Sequence, residues 1–230
     1  MSCKKLFSPA ASIAAIALMV IVGSLAIAAD PAKEKKAAAP PDGAPQLPPG
    51  WTESDMKACM EAGTPGKNHE YLAQDVGEWD AKSTMWMAPG AEPMSSEGSA
   101  KVTKVLDGRY TQVEHDGEMP GMGPFKGVGL YGYDNVSKKF VSTWIDNHST
   151  GIMRGEGELS PDGKTLTWKY TYNCPLQKGP AVMREIETRP NADTKTIEMH
   201  GKDPKSGKEY KMMVIELTRK AGSAPAAAAR

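Results

Sequence analysis

Alternation of apolar and polar residues dominates the chain from about residue 79 to residue 219. Short runs rich in β-branched and aromatic residues are separated by turn sequences such as Asp107-Gly108 and Pro161-Asp162-Gly163. Sequential strands joined by tight turns predict an all-β, antiparallel up-and-down meander, closed as a barrel or packed as a sandwich. The ten predicted strands cover residues 79–87, 98–106, 109–116, 125–133, 139–146, 151–159, 165–173, 181–189, 195–202 and 209–219.

Two short helices are predicted before the first strand. Residues 51–63 begin with Thr52 as a helix N-cap, with Asp55 three residues later, and Pro65 follows the helix end. Residues 68–76 place their apolar side chains on one helical face. The helices therefore form an N-terminal addition to the strand meander.

Some strands carry apolar residues on both faces. In residues 139–146, Phe140 and Trp144 oppose Val141 and Ile145, a pattern typical of a barrel with a partly polar cavity or of a sandwich with a covered outer face. Glycines two apart, at 127 and 129 and at 155 and 157, permit sharp coiling or the close approach of another group. Sharp coiling of the strands is a simpler interpretation of these glycines than contact with a ligand.

The N-terminus has the organisation of a secretory signal peptide. Lys4 and Lys5 precede an apolar run over residues 13–22, and Ala26-Ile27-Ala28 fits the small-x-small cleavage pattern. We predict a signal peptide over residues 1–28, and hence a periplasmic or secreted protein with no membrane span after cleavage. A Pro/Ala-rich linker is predicted over residues 29–50, a barrel domain over 51–220 and a disordered tail over 221–230.

Charge excludes one class of partner. The chain has 28 basic and 28 acidic residues, and no basic stripe interleaves with aromatic residues. We therefore expect no nucleic-acid binding.

The mature chain keeps two cysteines, Cys59 and Cys174. In an oxidising compartment such a pair can persist as a disulfide. A bond between Cys59 and Cys174 is one prediction, and two separate buried thiols are the alternative.

Several segments together resemble a known family. His69-Glu70-Tyr71-Leu72 followed by Val76-Gly77-Glu78-Trp79 resembles the short helix and Gly-x-Trp opening of lipocalin-like barrels. With Leu106-Asp107-Gly108-Arg109-Tyr110, Gly132-Tyr133-Asp134-Asn135 and Ser142-Thr143-Trp144-Ile145-Asp146, the chain resembles bacterial domain-of-unknown-function family 1579 over about residues 65–220. The resemblance implies a lipocalin-like barrel of about ten strands. In such barrels the first-strand tryptophan closes the narrow end and often stacks on an arginine of the last strand, which assigns a structural role to Trp79 and Arg219.

A polar run ends the fifth predicted strand. Asp146, Asn147 and His148 follow Trp144 there, and they form either a solvated turn or the lip of a binding site. We predict that Trp144 lines a cavity and that residues 146–148 lie near its mouth, with Arg109 as a further candidate ligand contact.

Catalytic and metal-binding patterns are sparse. No metal spacing, nucleophile elbow, phosphate loop or HExxH motif occurs, so no cofactor or metal is predicted. A haem-binding barrel needs one axial histidine, and the sequence selects none of His69, His115, His148 and His200. The methionines are better explained as core filling than as Cu(I) ligands.

Three classes of function follow. The first is an exported barrel that binds a small apolar or amphipathic molecule. The second is an envelope structural or interaction module without a ligand. The third is a barrel enzyme that uses Asp146 and His148 as an acid–base pair, with Glu114 or Arg109 beside them. Of these, ligand binding fits the sequence best, and catalysis least.

Overall fold

The computed structural model describes residues 47–223. The predicted signal peptide lies outside the described residues, as do nearly all of the predicted linker and most of the predicted tail. Within residues 47–223, no helix is both long and apolar enough to cross a membrane.

Two helices precede ten strands, in the predicted order. The helices are α1 (Glu53–Gly63) and α2 (Lys67–Ala73). The strands are β1 (Gly77–Met85), β2 (Met94–Val105), β3 (Tyr110–Met119), β4 (Gly123–Asp134), β5 (Lys139–Asp146), β6 (Met153–Leu159), β7 (Thr165–Cys174), β8 (Gly179–Asn191), β9 (Thr194–Lys202) and β10 (Glu209–Arg219).

The strands form one closed antiparallel barrel. Each strand pairs with its neighbours in the chain, and β1 pairs with β10 from Trp79↔Arg219 to Met85↔Met213. The predicted all-β barrel is therefore confirmed, and the sandwich alternative is wrong. Closure removes the free sheet edges that a sandwich would leave.

The barrel has two different ends. At one end, which we call the floor, β1 begins and α2 packs Tyr71 and Leu72 into the cluster that contains Phe140. The opposite end, which we call the mouth, is formed by the β3–β4 hairpin near Met119 and by the end of β5. Because successive strands are antiparallel, β5 runs from the floor to the mouth.

Helix α1 begins at the predicted capping box. The Thr52 hydroxyl accepts a hydrogen bond from the Asp55 backbone N–H at 3.2 Å, and the Thr52 backbone N–H donates to Asp55 Oδ2 at 2.8 Å. The Asn135 side-chain amide donates to the carbonyls of Glu61, Ala62 and Thr64. These bonds attach the C-terminus of α1 to the β4–β5 turn at the floor.

The predicted bond between Cys59 and Cys174 is not formed in the structure. Both thiols are free; Cys59 is exposed on α1, and Cys174 ends β7. The C-terminus of α1 is held at the floor, whereas β7 ends at the mouth. The two residues therefore lie at opposite ends of the barrel, although a disulfide needs Cα atoms within about 7 Å of each other.

Candidate functional site

A cavity of about 270 Å³ lies inside the barrel. It extends from Trp79 and Leu72 near the floor to Met119 and Phe125 at the mouth. Its volume is close to the lower end of the range for small-molecule pockets, about 300–1,000 Å³.

Small side chains on one side of the barrel create the space. On β1–β3, which we call the hollow wall, cavity-lining positions include Ser83, Ser96, Ala100, Thr111 and Gly117. On β5–β8, which we call the filled wall, the inward positions carry Phe140, Leu166, Trp168, Tyr170 and Met183, all buried. The cavity therefore lies against the hollow wall.

Glycines back the aromatic rings of the filled wall. Gly155 pairs with Tyr170 and Gly157 with Trp168 across neighbouring strands. A Cβ atom at Gly155 would lie 2.6 Å from Tyr170 Cε1, and one at Gly157 would lie 2.7 Å from Trp168 Cε3. Because Gly155 and Gly157 have no side chain, the rings of Tyr170 and Trp168 can approach the backbone of β6 closely. The close approach that the sequence analysis considered is therefore made by side chains of the protein itself.

Two cations and two carboxylates form a buried network above α2. The Arg189 guanidinium donates to Asp75 Oδ2 at 2.6 Å, and Lys195 Nζ lies 3.0 Å from the same oxygen. Lys195 also pairs with Glu187. Burial opposes the charge of Lys195, but the carboxylates of Asp75 and Glu187 outweigh it and hold the lysine pKa above its ordinary value. The network is balanced in charge.

A further carboxyl, Glu185, lies next to this network on β8. Glu185 is 4% exposed and lines the cavity. Burial raises the pKa of Glu185 well above its ordinary value, and the negative charge of Glu187 raises it further, while Lys195 acts in the opposite direction. Both effects favour the protonated form of Glu185.

Hydroxyl groups form a second polar feature beside the cavity. The Ser142 hydroxyl donates to Tyr170 Oη at 3.1 Å, and Tyr131 lies beside Tyr170. Burial raises the pKa of both phenols well above the ordinary value. Tyr131 and Tyr170 line the cavity as neutral hydroxyls.

At the mouth, Trp144 and Asp146 both line the cavity. Trp144 Nε1 donates to Asp146 Oδ2 at 3.2 Å, and the ring of Phe125 is stacked between Trp144 and His148, with centroid distances of 6.4 and 5.8 Å. The structure thus places Trp144 in the cavity and Asp146 at the end opposite Trp79.

Asn147 and His148 attach the strand end to β4. Asn147 Oδ1 accepts from the Lys126 backbone N–H at 2.7 Å, and its amide donates to the Pro124 carbonyl at 2.9 Å. His148 Nε2 lies 3.0 Å from the same carbonyl. The carboxylate of Asp146 accepts from the His148 backbone N–H, at 2.9 Å. The acid–base pair that the enzyme hypothesis requires is not formed between these side chains.

The structure does not bring Arg109 to the cavity. Arg109 lies exposed in the β2–β3 turn at the floor, 3.5 Å from Asp107 and hydrogen-bonded to the Leu106 carbonyl. Glu114 is exposed on β3 and accepts from Gln112 at 2.8 Å. The sequence placed Arg109 wrongly because a residue in a tight turn points away from the interior that the flanking strands enclose.

Trp79 and Arg219 form a stacked pair at the floor. The Arg219 guanidinium carbon lies 4.1 Å from the centroid of the Trp79 ring, which is 3% exposed. Trp79 Nε1 donates to the Asp75 carbonyl at 2.8 Å, and Arg219 donates to the carbonyls of Val76 and Gln74. This geometry is the one that the lipocalin-like resemblance implies.

Residues 47–223 contain no cluster of three or more histidine, cysteine, aspartate or glutamate side chains with metal-binding geometry. Of the four histidines, His115 lines the cavity. Burial lowers the pKa of His115, so its ring is neutral at neutral pH.

The buried network and Glu185 were not found from the sequence. In residues 181–189, Met183, Glu185, Glu187 and Arg189 alternate with Val182, Arg184, Ile186 and Thr188. Both faces carry apolar and charged residues, so periodicity alone does not show which face lies inside. The available signal was the presence of two carboxyls and an arginine on one face.

A family model described as "Protein of unknown function (DUF1579)" matches residues 64–219. The chain belongs to the DUF1579 family. The match covers the whole barrel, from α2 to the last residue of β10. Comparison with curated proteins gives no match.

Three solved structures resemble this DUF1579 protein. The crystal structure of Rv2717c from M. tuberculosis is 11% identical, has a TM-score of 0.50, and the match covers 68% of this chain and 99% of that one. S-type phycobiliprotein lyase CPES from Guillardia theta is 12% identical, with coverages of 70% and 96% and a TM-score of 0.46. EF1p2_mFAP2b bound to DFHBI is 14% identical, with coverages of 66% and 95% and a TM-score of 0.32. The likeness to Rv2717c concerns the fold alone.

Proposed function

We propose that this protein is an exported barrel that binds a small apolar or amphipathic molecule in its cavity. The observation that carries the proposal is the cavity of about 270 Å³ against the hollow wall. A barrel without a ligand role has no need of this space, because its interior positions can be filled with larger side chains, as they are on the filled wall.

The composition of the lining supports a small amphipathic ligand. Apolar side chains such as Val102, Val113 and Ile215 surround the space, while Glu185 and the hydroxyl of Tyr131 contribute polar groups. Ligand pockets typically combine a predominantly apolar wall with a few polar groups that fix orientation.

Trp144 and Asp146 are the proposed contacts at the mouth. Both line the cavity, and the hydrogen bond between them orients the indole. Asn147 and His148 act indirectly, because their bonds to Lys126 and Pro124 hold the β4 and β5 ends together.

Titration with an uncharged apolar fluorophore, N-phenyl-1-naphthylamine, tests the proposal. Ser83→Phe places a ring in the cavity, whereas Lys82→Phe places the same ring on the exposed face of the same strand. We expect the wild-type protein and Lys82→Phe to bind the dye with enhanced emission, and Ser83→Phe to bind it at least tenfold more weakly. Equal binding by both variants, or no binding by the wild type, would contradict the proposal.

Export is supported by the signal-like pattern of residues 1–28. Cell fractionation followed by intact-mass measurement tests it. We expect a chain that starts at Ala29 in the periplasm or medium. Recovery of the full-length chain from the membrane fraction would contradict export without affecting the binding proposal.

A further inference from the structure

The residues that line the cavity carry an excess of acidic groups. Four carboxyl groups face the cavity, those of Asp75, Asp146, Glu185 and Glu187, together with a single lysine, Lys195. The lining histidine, His115, is neutral because burial lowers its pKa. Because Lys195 and Arg189 balance Asp75 and Glu187, Asp146 and Glu185 are the carboxyl groups left to attract a ligand of opposite charge.

The internal cations are already engaged by the protein. Lys195 contacts both Asp75 and Glu187, and Arg189 contacts Asp75 at 2.6 Å while lying 4.3 Å over the Tyr71 ring. An anionic ligand would have to compete with these buried carboxylates for each cation. Fatty-acid-like carboxylates are therefore poorly matched to this cavity.

Glu185 is the carboxyl without a cation. No ion pair joins it to any residue in the described part of the chain, although it is 4% exposed and faces the cavity. Its neighbour on the inner face of β8 is another carboxyl, Glu187. Glu187 accepts from Trp168 Nε1 at 2.6 Å and pairs with Lys195, so it already has a hydrogen-bond donor and a cation. Glu185 has no such cation, and its buried carboxyl faces the cavity.

We propose that the ligand carries a protonated amine at one end and that Glu185 is its counter-ion. This inference rests on the proposed binding function and adds the chemical class of the ligand. The apolar body occupies the space beside the hollow wall. The ammonium N–H groups donate to the Glu185 carboxylate, and Asp146 attracts the cation to the mouth.

Binding of such a ligand changes the protonation of Glu185. Glu185 faces Glu187 on its own strand, Lys195 on β9, Tyr170 on β7 and Tyr131 on β4, and its burial and the charge of Glu187 raise its pKa and favour the protonated form. When the ammonium arrives, the Glu185 proton leaves to solvent and the carboxylate pairs with the cation. Up to one proton is released per bound ligand, and affinity rises as pH increases toward the raised pKa of Glu185.

Three probes with one naphthyl body separate the ligand classes. They are 2-(1-naphthyl)ethylammonium, 2-(1-naphthyl)ethanol and 1-naphthylacetate, measured by isothermal titration calorimetry at pH 7 in two buffers of different ionisation enthalpy. We expect the ammonium to bind about tenfold or more tightly than the alcohol, since a hydrogen bond to a charged group exceeds a neutral one. Of the three probes, 1-naphthylacetate should bind most weakly. Proton release should accompany the ammonium alone.

Glu185→Gln and Glu216→Gln provide matched variants. Each removes one carboxyl, but Glu216 lies exposed on the outer face of β10. In Glu185→Gln the ammonium should lose its advantage over the alcohol, and proton release should vanish. Glu216→Gln should behave as the wild type.

The outcomes distinguish this inference from the function on which it rests. If N-phenyl-1-naphthylamine binds but the ammonium has no advantage, or if its advantage survives in Glu185→Gln, the amine assignment is wrong and the binding function stands. If neither that dye nor any naphthyl probe binds, the binding function fails and the amine assignment fails with it.

Discussion

The two walls of the barrel have the same strand geometry and opposite contents. On the filled wall, Trp168, Tyr170 and Leu166 are no more than 2% exposed and pack against one another. On the hollow wall, inward positions such as Ser83 and Ala100 border open space. The comparison shows that alternation decides which residues face inward, whereas side-chain volume decides where a cavity forms.

The difference has an energetic counterpart. Each large side chain on the filled wall buries apolar area that stabilises the barrel, while the hollow wall gives up that stabilisation to keep space. We therefore expect stability to depend mainly on the filled wall and ligand binding mainly on the hollow wall.

We expect the largest loss of stability when the side chain of Trp168 is removed. Trp168→Ala should lower the free energy of unfolding by about 3–5 kcal/mol, because it leaves a cavity in a packed region. Val102→Ala on the hollow wall should cost about 1–2 kcal/mol, since two carbon atoms are lost beside space that already exists. Urea unfolding measures both values. Similar losses in the two variants would remove the distinction between the walls.

Two inward glycines extend the comparison to the backbone. Gly157→Ala should destabilise by about 1–3 kcal/mol, because its Cβ would lie 2.7 Å from the Trp168 ring. Gly117 lies on the hollow wall, where a Cβ would meet no atom closer than 3.4 Å. Gly117→Ala should stay within about 1 kcal/mol of the wild type. A tolerated Gly157→Ala in thermal unfolding would show that the filled wall is loosely packed.

The stacked pair at the floor should be energetically coupled. A guanidinium over an indole contributes about 0.5–2 kcal/mol. Trp79→Ala and Arg219→Ala should therefore destabilise the protein less in combination than the sum of the single changes, by about that amount. Strictly additive losses in a double-mutant cycle would show that the contact at 4.1 Å does not stabilise the fold.

Glu185 lies where the filled wall ends, and it should make stability depend on pH. Its folded-state pKa is raised, so the native protein binds more protons than the unfolded chain above the ordinary glutamate pKa of about 4.3. The free energy of unfolding should then fall as pH rises from that value through the raised pKa, with a slope of up to about 1.4 kcal/mol per pH unit.

Glu185→Gln isolates this effect, because other groups titrate in both proteins. The difference in unfolding free energy between wild type and Glu185→Gln, measured by denaturant titration at several pH values, should change in favour of the variant as pH rises. If this difference in unfolding free energy does not vary with pH, the pKa of Glu185 is not raised in the folded protein.

The sequence predicted the barrel well because each strand carries its own evidence. All ten strands were expected, and the bounds of β5 and β10 agree with the structure. Turn sequences such as Asp107-Gly108 fixed the connections, and positive φ angles at both residues agree with that chemistry. Local backbone preference and alternation were sufficient for these features.

The candidate site was only partly predictable. Trp144 and Asp146 were expected at a cavity because their strand had a mixed face, and the structure places both in the lining. Glu185 and its network depend on contacts among β8, β9 and the segment before β1, which are distant in sequence. No local pattern records those contacts.

Native mass spectrometry of the protein purified from its own cells tests directly whether the cavity beside the hollow wall holds a ligand. Wild type and Ser83→Phe are prepared identically, and their masses are compared under native and denaturing conditions. We expect a small non-covalent adduct on the wild type that is absent from Ser83→Phe and lost on denaturation. A wild-type protein without any adduct, or an equal adduct on both proteins, would contradict the claim that the cavity beside the hollow wall holds a ligand.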